Sequence, residues 1–392
     1  MSDFTAIISG AGPAGLVAAI LLAQDKVKCA VVAPARLEAD MRTVALMQPA
    51  MRLLKYIGVW PGSLEAVSAP LKQLHLIDDT GNLVQAPPLK FSAGEVALDA
   101  FGWNIPLSEL TPVLHARAIE LGVEFIVGRS QNLISDAKQA TLVLDDGRKL
   151  TAQVVLAADG VNSPLRKSIG VAMMDWKFDQ CALATSFSHT ASHQDISVEW
   201  HKPAGPFATV PLPGLRSSLV WLERPQRVAE LMAMSDDELA CEIQIESHGQ
   251  LGKIFDMGPR KSFPMAGRRA TQFAKNRCLL LAEAAHVFPP IGAQGLNLSL
   301  RDAGFAADVI IGADDAGNDT VMAAYEKARS VDIATRQQAV SLMNYSLLSD
   351  SLPFSLMRVA GLALVNSVPP LRQQAMREGL SPSSGLPFAM RA

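Results

Sequence analysis

The sequence has few cysteines and no pattern typical of a zinc site. Its four cysteines lie far apart, and none forms a C-x-x-C pair. This spacing argues against a disulfide framework and against bound zinc, and it favours a reducing compartment. His189 and His193 are four residues apart, but they fall among strand and turn signals. We interpret them as solvated or structural histidines and expect no metal.

Charge clusters and long apolar runs are also missing. The chain has 35 Lys and Arg against 38 Asp and Glu, for a net charge of −3, without a basic cluster. This balance argues against nucleic acid as a partner. No apolar run reaches the roughly 18 residues that a membrane span needs. Because Thr5–Gly15 fits a strand and turn better than a signal peptide, we expect a cytoplasmic protein.

The first 33 residues follow the pattern of a βαβ unit. Phe4–Ser9 and Val27–Ala33 are buried-strand patterns, and Leu16–Gln24 has helical spacing between them. Later segments, above all Leu71–Ala97 and Gln180–Leu222, have the short alternating pattern of antiparallel strands. A chain of 392 residues is long for one core. We therefore predict an α/β nucleotide-binding domain interrupted by a mostly β domain.

Three further segments have clear element signals. A helix is predicted over Ser108–Leu121, with Ser108 as N-cap. A second helix is predicted over Ser235–Glu246, where Ser235 and Glu238 form a capping box. Arg277–Leu281 is predicted to be a buried strand.

A glycine-rich turn connects the first strand to the first helix. Its glycines allow the backbone to turn tightly and to approach a pyrophosphate, which the N-terminus of the helix attracts. The pattern predicts dinucleotide binding by Gly10, Gly12, Pro13, Ala14 and Gly15. The acid expected at the end of the second strand is absent, because Ala33 stands there. Glu38 or Asp40 replaces it, or the ribose is held by backbone, Arg36 or water.

Two more predicted strands are each followed by one carboxylate. Val154–Ala158 precedes Asp159-Gly160, where the carboxylate either caps the next helix or accepts hydrogen bonds from a ligand. Leu279–Gly304 begins as an apolar run and meets Glu283 before a Pro- and Gly-rich turn. We expect the Glu283 carboxylate to be poorly solvated, so it needs hydrogen-bond donors.

Taken together, the three motifs resemble the class A flavoprotein aromatic hydroxylases of the para-hydroxybenzoate hydroxylase fold. Within that group the chain looks like the ubiquinone-biosynthesis hydroxylases. The stretches that carry this second likeness are Arg42–Trp60, Gly205–Gly214, Ser217–Trp221 and His286–Asp302. The chain departs from the family at Ala33, at Ala282-Glu283 and at Ala293, all of which fall at the flavin.

The resemblance implies an FAD-binding Rossmann-like domain with an interleaved antiparallel β domain and a helical C-terminus. It implies FAD as cofactor, NADPH or NADH as transient reductant, and O₂ that reacts through a flavin C4a-hydroperoxide. The implied substrate is a polyprenylated phenol. The cofactor-binding residues would include, besides the first turn, Arg36, Arg42, Asp159, Glu283, Pro290, Gly292, Gly295, Leu296 and Asn297. The substrate wall would include Phe207, Val210, Trp221 and Phe288.

The expected FAD-binding domain is discontinuous, over residues 1–72, 99–178 and 262–330, with the substrate domain over 73–98 and 179–261 and a helical region over 331–392. In that last region Pro353–Val368 is almost entirely apolar. Such a helix is buried in a core or lies on a membrane surface, so peripheral membrane or complex association is an open expectation. Two rival functions are a hydroxylase of small soluble aromatics and a flavin-binding scaffold without catalysis.

Overall fold

The computed structural model describes residues 2–35, 40–82, 85–289, 292–348, 367–380 and 385–391. Its helices, numbered along the chain, are α1 Pro13–Gln24, α2 Gln48–Tyr56, α3 Leu64–Val67, α4 Leu107–Glu120, α5 Pro164–Ser168, α6 Pro225–Ala233, α7 Asp236–Glu246, α8 Gln294–Ile310, α9 Asp319–Leu348 and α10 Pro369–Leu380. Short 3-10 turns cover Ala93–Val96, Ala282–Ala284 and Phe388–Met390.

The strands form three sheets. The first half of the chain contributes β1 Phe4–Ser9, β2 Cys29–Ala33, β3 Thr43–Met47, β4 Ala69–Pro70, β5 Gln73–Asp78, β6 Leu89–Ser92, β7 Gly102–Pro106, β8 Glu124–Val127, β9 Ser130–Ser135, β10 Ala140–Leu144 and β11 Lys149–Ala157. The second half contributes β12 Met173–His189, β13 Ile196–Lys202, β14 Gly205–Leu212, β15 Arg216–Glu223, β16 Ile254–Phe255, β17 Lys261–Ala270, β18 Ala274–Lys275, β19 Cys278–Leu280 and β20 His286–Val287.

The first sheet has β1 at its centre and confirms the predicted βαβ unit. Its order is β18-β19-β11-β1-β2-β8, and β9 and β10 extend it beside β11. β19, β11, β1, β2 and β8 run parallel, so their carboxyl ends meet at one edge. The helices α1 and α8 pack against each other, and α1 is buried along most of its length. This edge is where an open α/β sheet binds ligands.

The second sheet is largely antiparallel, in the order β20-β17-β12-β15-β14-β13-β5-β6. One of its faces is covered by α6 and α7, which bury Leu231 and Ile243 against it. A third, small sheet consists of β3, β7 and β4, and β7 and β4 contact β14 of the second sheet. There Asn104 in β7 donates its side-chain amide to the carbonyl oxygen of Pro211 and to the Ser218 hydroxyl, at 2.8 and 3.1 Å.

Several local predictions can be compared with these elements. The capping box at Ser235 and Glu238 is confirmed. Ser108 is not an N-cap, because the helix already begins at Leu107 and its N-cap residue is Pro106. The chain enters this helix from β7, where Leu107 donates its amide to the carbonyl oxygen of Arg42. This tertiary contact sets the start of the helix.

The proposed domain boundaries near residues 178 and 262 fall inside β12 and β17. These two strands pair with each other, with Met173 opposite Ala270. The domain division therefore stays a prediction. In the part of the chain that the structure describes, no helix combines the length and the apolar character needed to cross a membrane. The apolar stretch Pro353–Val368 lies outside the described residues, apart from Ser367 and Val368.

Candidate active site

The three glycines of the first motif have different roles. A Cβ atom at Gly10, where φ is +110°, would lie 2.2 Å from the carbonyl oxygen of Ala158. At Gly15 it would lie 2.1 Å from the carbonyl oxygen of Gly10. Both contacts are impossible, so these glycines let α1 pack on the strands. A Cβ atom at Gly12 would meet nothing within 4 Å. Gly12 therefore faces open space at the edge of the sheet.

That space lies at the N-terminus of α1. Pro13 is in the first turn of this helix, and the N-cap residue Gly12 has no side chain to bond its amides. The first amide groups of a helix have no intrahelical acceptor, and the helix dipole makes this end positive. The amides of Ala14 and Gly15 are therefore suited to an anionic group such as a pyrophosphate.

Asp159 has a carboxylate oxygen without a partner. It follows β11, and its Oδ2 accepts a weak hydrogen bond of 3.3 Å from the amide of Leu165. Its Oδ1 is fully enclosed and has no hydrogen-bond partner within the described residues. Burial raises the pKa of this carboxyl, although the Ser163 hydroxyl and the Leu165 amide act in the other direction. A ligand hydroxyl would satisfy Oδ1, so capping alone does not account for Asp159.

Glu283 differs from its sequence-based description. β19 ends at Leu280, and Glu283 stands in the middle of the 3-10 turn Ala282–Ala284, with its side chain exposed. The expected poorly solvated carboxylate at a strand end is therefore wrong. The reason is the backbone of Ala282, which has φ of +53° and turns the chain out of the sheet. Whether Glu283 contacts the cofactor stays a prediction.

Arg166 joins the second motif to the third. Its side chain is buried and donates from Nη1 to the carbonyl oxygen of Ala284 and from Nη2 to that of Val161, both at 2.9 Å. The turn that carries Glu283 is thereby fixed to the loop after Asp159. The carboxylates of both motifs are positioned by one guanidinium.

Asp302 fixes the same turn from the other side. Its Oδ2 accepts bonds from the amide of Ala282 at 2.8 Å and from His286 Nε2 at 2.7 Å, and its Oδ1 accepts from Arg329 Nε at 2.7 Å. Burial alone would raise the pKa of this carboxyl, but His286 and Arg329 outweigh burial and lower it. The sequence reasoning missed Arg329, which lies on α9 and has no local motif. His286 is a buried packing and hydrogen-bonding residue here.

The turn before α8 presents backbone rather than side chains. Gly292 and Ala293 have φ of +64° and +54°, and no side chain caps the helix. A Cβ atom at Gly295 would meet nothing within 4 Å, so its backbone is open to a ligand. Leu296 packs partly against the main core.

Asn297 was assigned to the cofactor, but its side chain is engaged within the protein. Its amide nitrogen donates to the carbonyl oxygens of Ala45 and Ala293, at 2.8 and 2.7 Å, and its Oδ1 accepts from the Met47 amide at 2.9 Å. Asn297 therefore links the start of α8 to β3. Arg36 and Pro290 lie outside the described residues.

Arg42 precedes β3 and contacts the second sheet. It forms an ion pair with Asp40 and lies over the ring of Phe263 in β17, 5.6 Å from its centroid. The hydrogen bond with Asp40 raises the pKa of Arg42 despite partial burial, and the charge of Glu283 adds to this effect. The half-exposed guanidinium is thus near both the third motif and the second sheet.

The predicted substrate wall needs a correction. Phe207 and Trp221 are 0% and 2% exposed and pack edge to face in the core beneath α6 and α7. Strand alternation turns their side chains away from the first sheet. Val210 in β14 and Val220 in β15 lie on the opposite face and are partly exposed. Phe288 packs edge to face against His286, with ring centroids 5.2 Å apart.

The histidines of the second sheet bond to the protein itself. His189 is buried, with Nδ1 2.8 Å from the carbonyl oxygen of Ala191 and Nε2 3.0 Å from the Ser217 hydroxyl. His193 Nε2 is 3.0 Å from the carbonyl oxygen of Leu212. Both histidines therefore hold neighbouring turns and strands of the second sheet by hydrogen bonds.

Comparison with known proteins agrees with this geometry. Residues 3–339 match the family model described as FAD binding domain. The chain is 29% identical over 386 residues to the ubiquinone hydroxylase UbiL of Rhodospirillum rubrum, covering 95% of this chain and 89% of that protein. It is 27% identical over 349 residues to the 3-demethoxyubiquinol 3-hydroxylase of Escherichia coli K12, covering 87% of each.

A solved structure shows the same fold. The p-nitrophenol 4-monooxygenase PnpA of Pseudomonas putida DLL-E4 superposes with a TM-score of 0.79 at 18% identity, covering 96% of this chain and 98% of that one. The open turn at Gly12, the unpartnered Asp159 oxygen and the exposed backbone at Gly295 all fit a flavin dinucleotide. The chain belongs to the FAD-binding-domain family, it shares its fold with a solved flavin-type monooxygenase, PnpA, and its cofactor is FAD.

Proposed function

We propose that this enzyme hydroxylates the aromatic ring of a polyprenylated phenol in ubiquinone biosynthesis, using O₂ and NADPH or NADH. The observation that carries the proposal is the enclosed Oδ1 of Asp159, which has no hydrogen-bond partner among the described residues and lies next to the loop that Arg166 ties to the Glu283 turn. The names of the two relatives supply the substrate class, because both are hydroxylases of ubiquinone-type molecules.

FAD would be held by backbone at both ends and by carboxylates between them. The amides at Gly12–Gly15 suit the pyrophosphate, and the open backbone of Gly292–Asn297 suits the pyrimidine end of the ring. Asp159 and Glu283 are the proposed acceptors for ligand hydroxyls. Arg42 is a further candidate, and Arg36 and Pro290 are kept as proposals on the family resemblance alone.

Bound FAD, reduced by the nicotinamide, would supply the activation of O₂ for ring hydroxylation. The protein would contribute position and the exclusion of water. Apolar side chains on the open face of the second sheet, including Val210, Val220 and Phe263, would contact the ring and shield it from solvent. Phe288 is proposed to contribute from the flavin-binding turn.

The test is a purified-protein assay with paired substrates. We expect flavin absorbance bands, and NADPH or NADH oxidation that depends on a prenylated phenol and yields a product with one added oxygen atom. Equal efficiency with a short, unprenylated phenol would favour the hydroxylase of small aromatics instead. Bound flavin without any turnover would favour the scaffold. Deletion of the gene should cause one ubiquinone precursor to accumulate, and its structure would identify the carbon that is hydroxylated.

Association with a membrane surface or with other biosynthetic proteins is part of the same proposal, since the substrate is a lipid. Co-sedimentation with phospholipid vesicles that contain a prenylated phenol, compared with vesicles that lack it, would measure this association.

A further inference from the structure

The last described residues, 385–391, are packed into the main core. We call this segment the C-terminal clasp. Leu386, Ala389 and Met390 are 4%, 6% and 0% exposed and belong to the same hydrophobic cluster as the first sheet. The clasp lies against α2 and α8. Burial of so short a segment in the main core depends on specific contacts.

Those contacts are polar as well as apolar. Arg301 in α8, itself buried, donates from Nη2 to the carbonyl oxygen of Gly385 at 2.6 Å. Two turns further along α8, the Asp308 carboxylate accepts a hydrogen bond from the amide of Phe388 at 2.9 Å. The ring of Phe388 meets Tyr56 of α2 edge to face, with centroids 5.9 Å apart.

Gly304 provides the space that the clasp needs. It lies between Arg301 and Asp308 on α8, and a Cβ atom there would be 2.6 Å from Cγ of Pro387. Glycine is unfavourable inside a helix compared with alanine. The close approach of Pro387 explains why residue 304 is a glycine although it lies inside a helix.

The helices that the clasp joins are the ones that reach the flavin-binding turn. α8 begins at Gln294, directly after Gly292 and Ala293. Asn297 ties the start of α8 to the amide of Met47, and Met47 is the N-cap residue of α2. The pair of helices is therefore fixed by Asn297 at the cofactor end and by the clasp at the other end.

The residue after Arg301 makes a second connection. Asp302 accepts a hydrogen bond from the amide of Ala282, in the turn that carries Glu283. Without the Gly385 carbonyl, a buried guanidinium nitrogen would lose its acceptor, which is costly enough to shift the helix or the side chain.

We propose that the C-terminal clasp is a built-in peptide ligand, and that its docking between α2 and α8 of the same chain raises the affinity for FAD. Clasp and FAD then stabilise the same arrangement of α8, and each strengthens the binding of the other. Such coupling does not depend on which substrate is hydroxylated.

The experiment compares the full chain with a variant that ends at residue 384, by titrating each apo-protein with FAD. We expect the shortened protein to bind FAD roughly tenfold more weakly, a typical size for coupling between two sites. A synthetic peptide of residues 385–392 should restore the affinity, whereas a scrambled peptide should not. Unchanged affinity in the shortened protein, or no rescue by the peptide, would overturn the proposal.

Gly304→Ala tests the same idea in the complete chain, and it serves if the shortened protein fails to fold. The added methyl group should displace Pro387 while suiting the helix itself, so FAD affinity should fall without loss of helical signal. Met390→Ala should act in the same direction, and Lys55→Ala is the control, because Lys55 is exposed on α2 and its side chain is not among the contacts of the clasp. FAD affinity equal to wild type in both Gly304→Ala and Met390→Ala contradicts the proposal. A dimer that dissociates on shortening would assign the clasp to a second copy.

Discussion

Arg166 donates a hydrogen bond from Nη1 to the carbonyl oxygen of Ala284, 118 positions further along the chain, at a distance of 2.9 Å. A single buried side chain thus sets the distance between the Asp159 loop and the Glu283 turn. Because both carbonyl partners of Arg166 belong to the proposed cofactor site, its loss should affect FAD binding as well as stability.

Arg166→Met should lower the free energy of unfolding by about 1.5–3 kcal/mol, the usual worth of a hydrogen bond to a charged group, and should weaken FAD binding. Thermal unfolding and FAD titration of the purified variant measure the two effects. Lys167→Met is the control, since Lys167 is exposed and adjacent. If both variants behave alike, Arg166 does not position the turn.

Gly12→Val and Gly15→Val should separate binding from folding. Gly12 has φ of −73° and ψ of 171°, an extended conformation that valine adopts readily, and its Cβ would point into open space. The apo-protein should therefore fold normally but fail to take up FAD. Gly15→Val should destabilise the apo-protein by about 3 kcal/mol through overpacking. Flavin absorbance and apo-protein unfolding temperature are the readouts. Full FAD occupancy in Gly12→Val would make the turn purely structural.

Asp159→Asn should stabilise the apo-protein at neutral pH while it weakens FAD binding. Burial raises the pKa of Asp159 in the folded state. A carboxyl with a raised folded pKa adds stability below its unfolded pKa, and this contribution is lost as pH rises through the folded pKa. The advantage of the Asn variant should therefore be largest at neutral pH and shrink toward acid. Unfolding temperatures measured across that pH range, with and without FAD, are the test; an advantage that is constant with pH would contradict it.

Glu283→Ala should reduce FAD affinity by about 1.5–3 kcal/mol if Glu283 accepts a ligand hydroxyl, or roughly ten- to a hundredfold. Glu283→Asp keeps the charge and should weaken binding only modestly. Since the side chain is exposed in the protein alone, neither change should alter apo-protein stability. Wild-type affinity in the Ala variant would leave Asp159 and the backbone of Gly292–Asn297 as the binding groups.

Val210→Phe and Phe207→Ala test the corrected substrate wall. Val210→Phe adds volume on the open face, so we expect a higher KM for the phenol and an unchanged unfolding temperature. Phe207→Ala empties part of the core under α6 and α7 and should cost about 3–5 kcal/mol of stability, with KM near wild type if the protein folds. The opposite pattern would return Phe207 to the substrate wall.

The backbone of the cofactor site was largely predictable from the sequence. Glycine spacing and apolar runs predicted β1, α1 and β2, because their signals are local and strong. The position of Glu283 was not predictable in this way. A left-handed alanine at residue 282 has no compositional signal, and it turns the following residue out of the sheet.

The substrate wall shows a different limit. Phe207 and Val210 are three residues apart in one strand, so they lie on opposite faces. Both faces of this sheet carry apolar side chains, which leaves no contrast between polar and apolar residues to show which face meets the flavin-binding domain. Arg329 was missed for a related reason: it is 27 residues from Asp302, and only the packing of α9 on α8 brings them together.

The parallel pairing of β11 with β19 also has a consequence for how the chain is made. Residues 155–157, which lead directly to Asp159, pair on one side with β1 and on the other with residues 278–280. A ribosome releases all the strands from β12 to β17 before it releases β19. The carboxyl end of β11 is therefore an unpaired edge while residues 158–277 are synthesised, and the nascent chain has to keep that edge from pairing with other molecules until its last neighbour arrives.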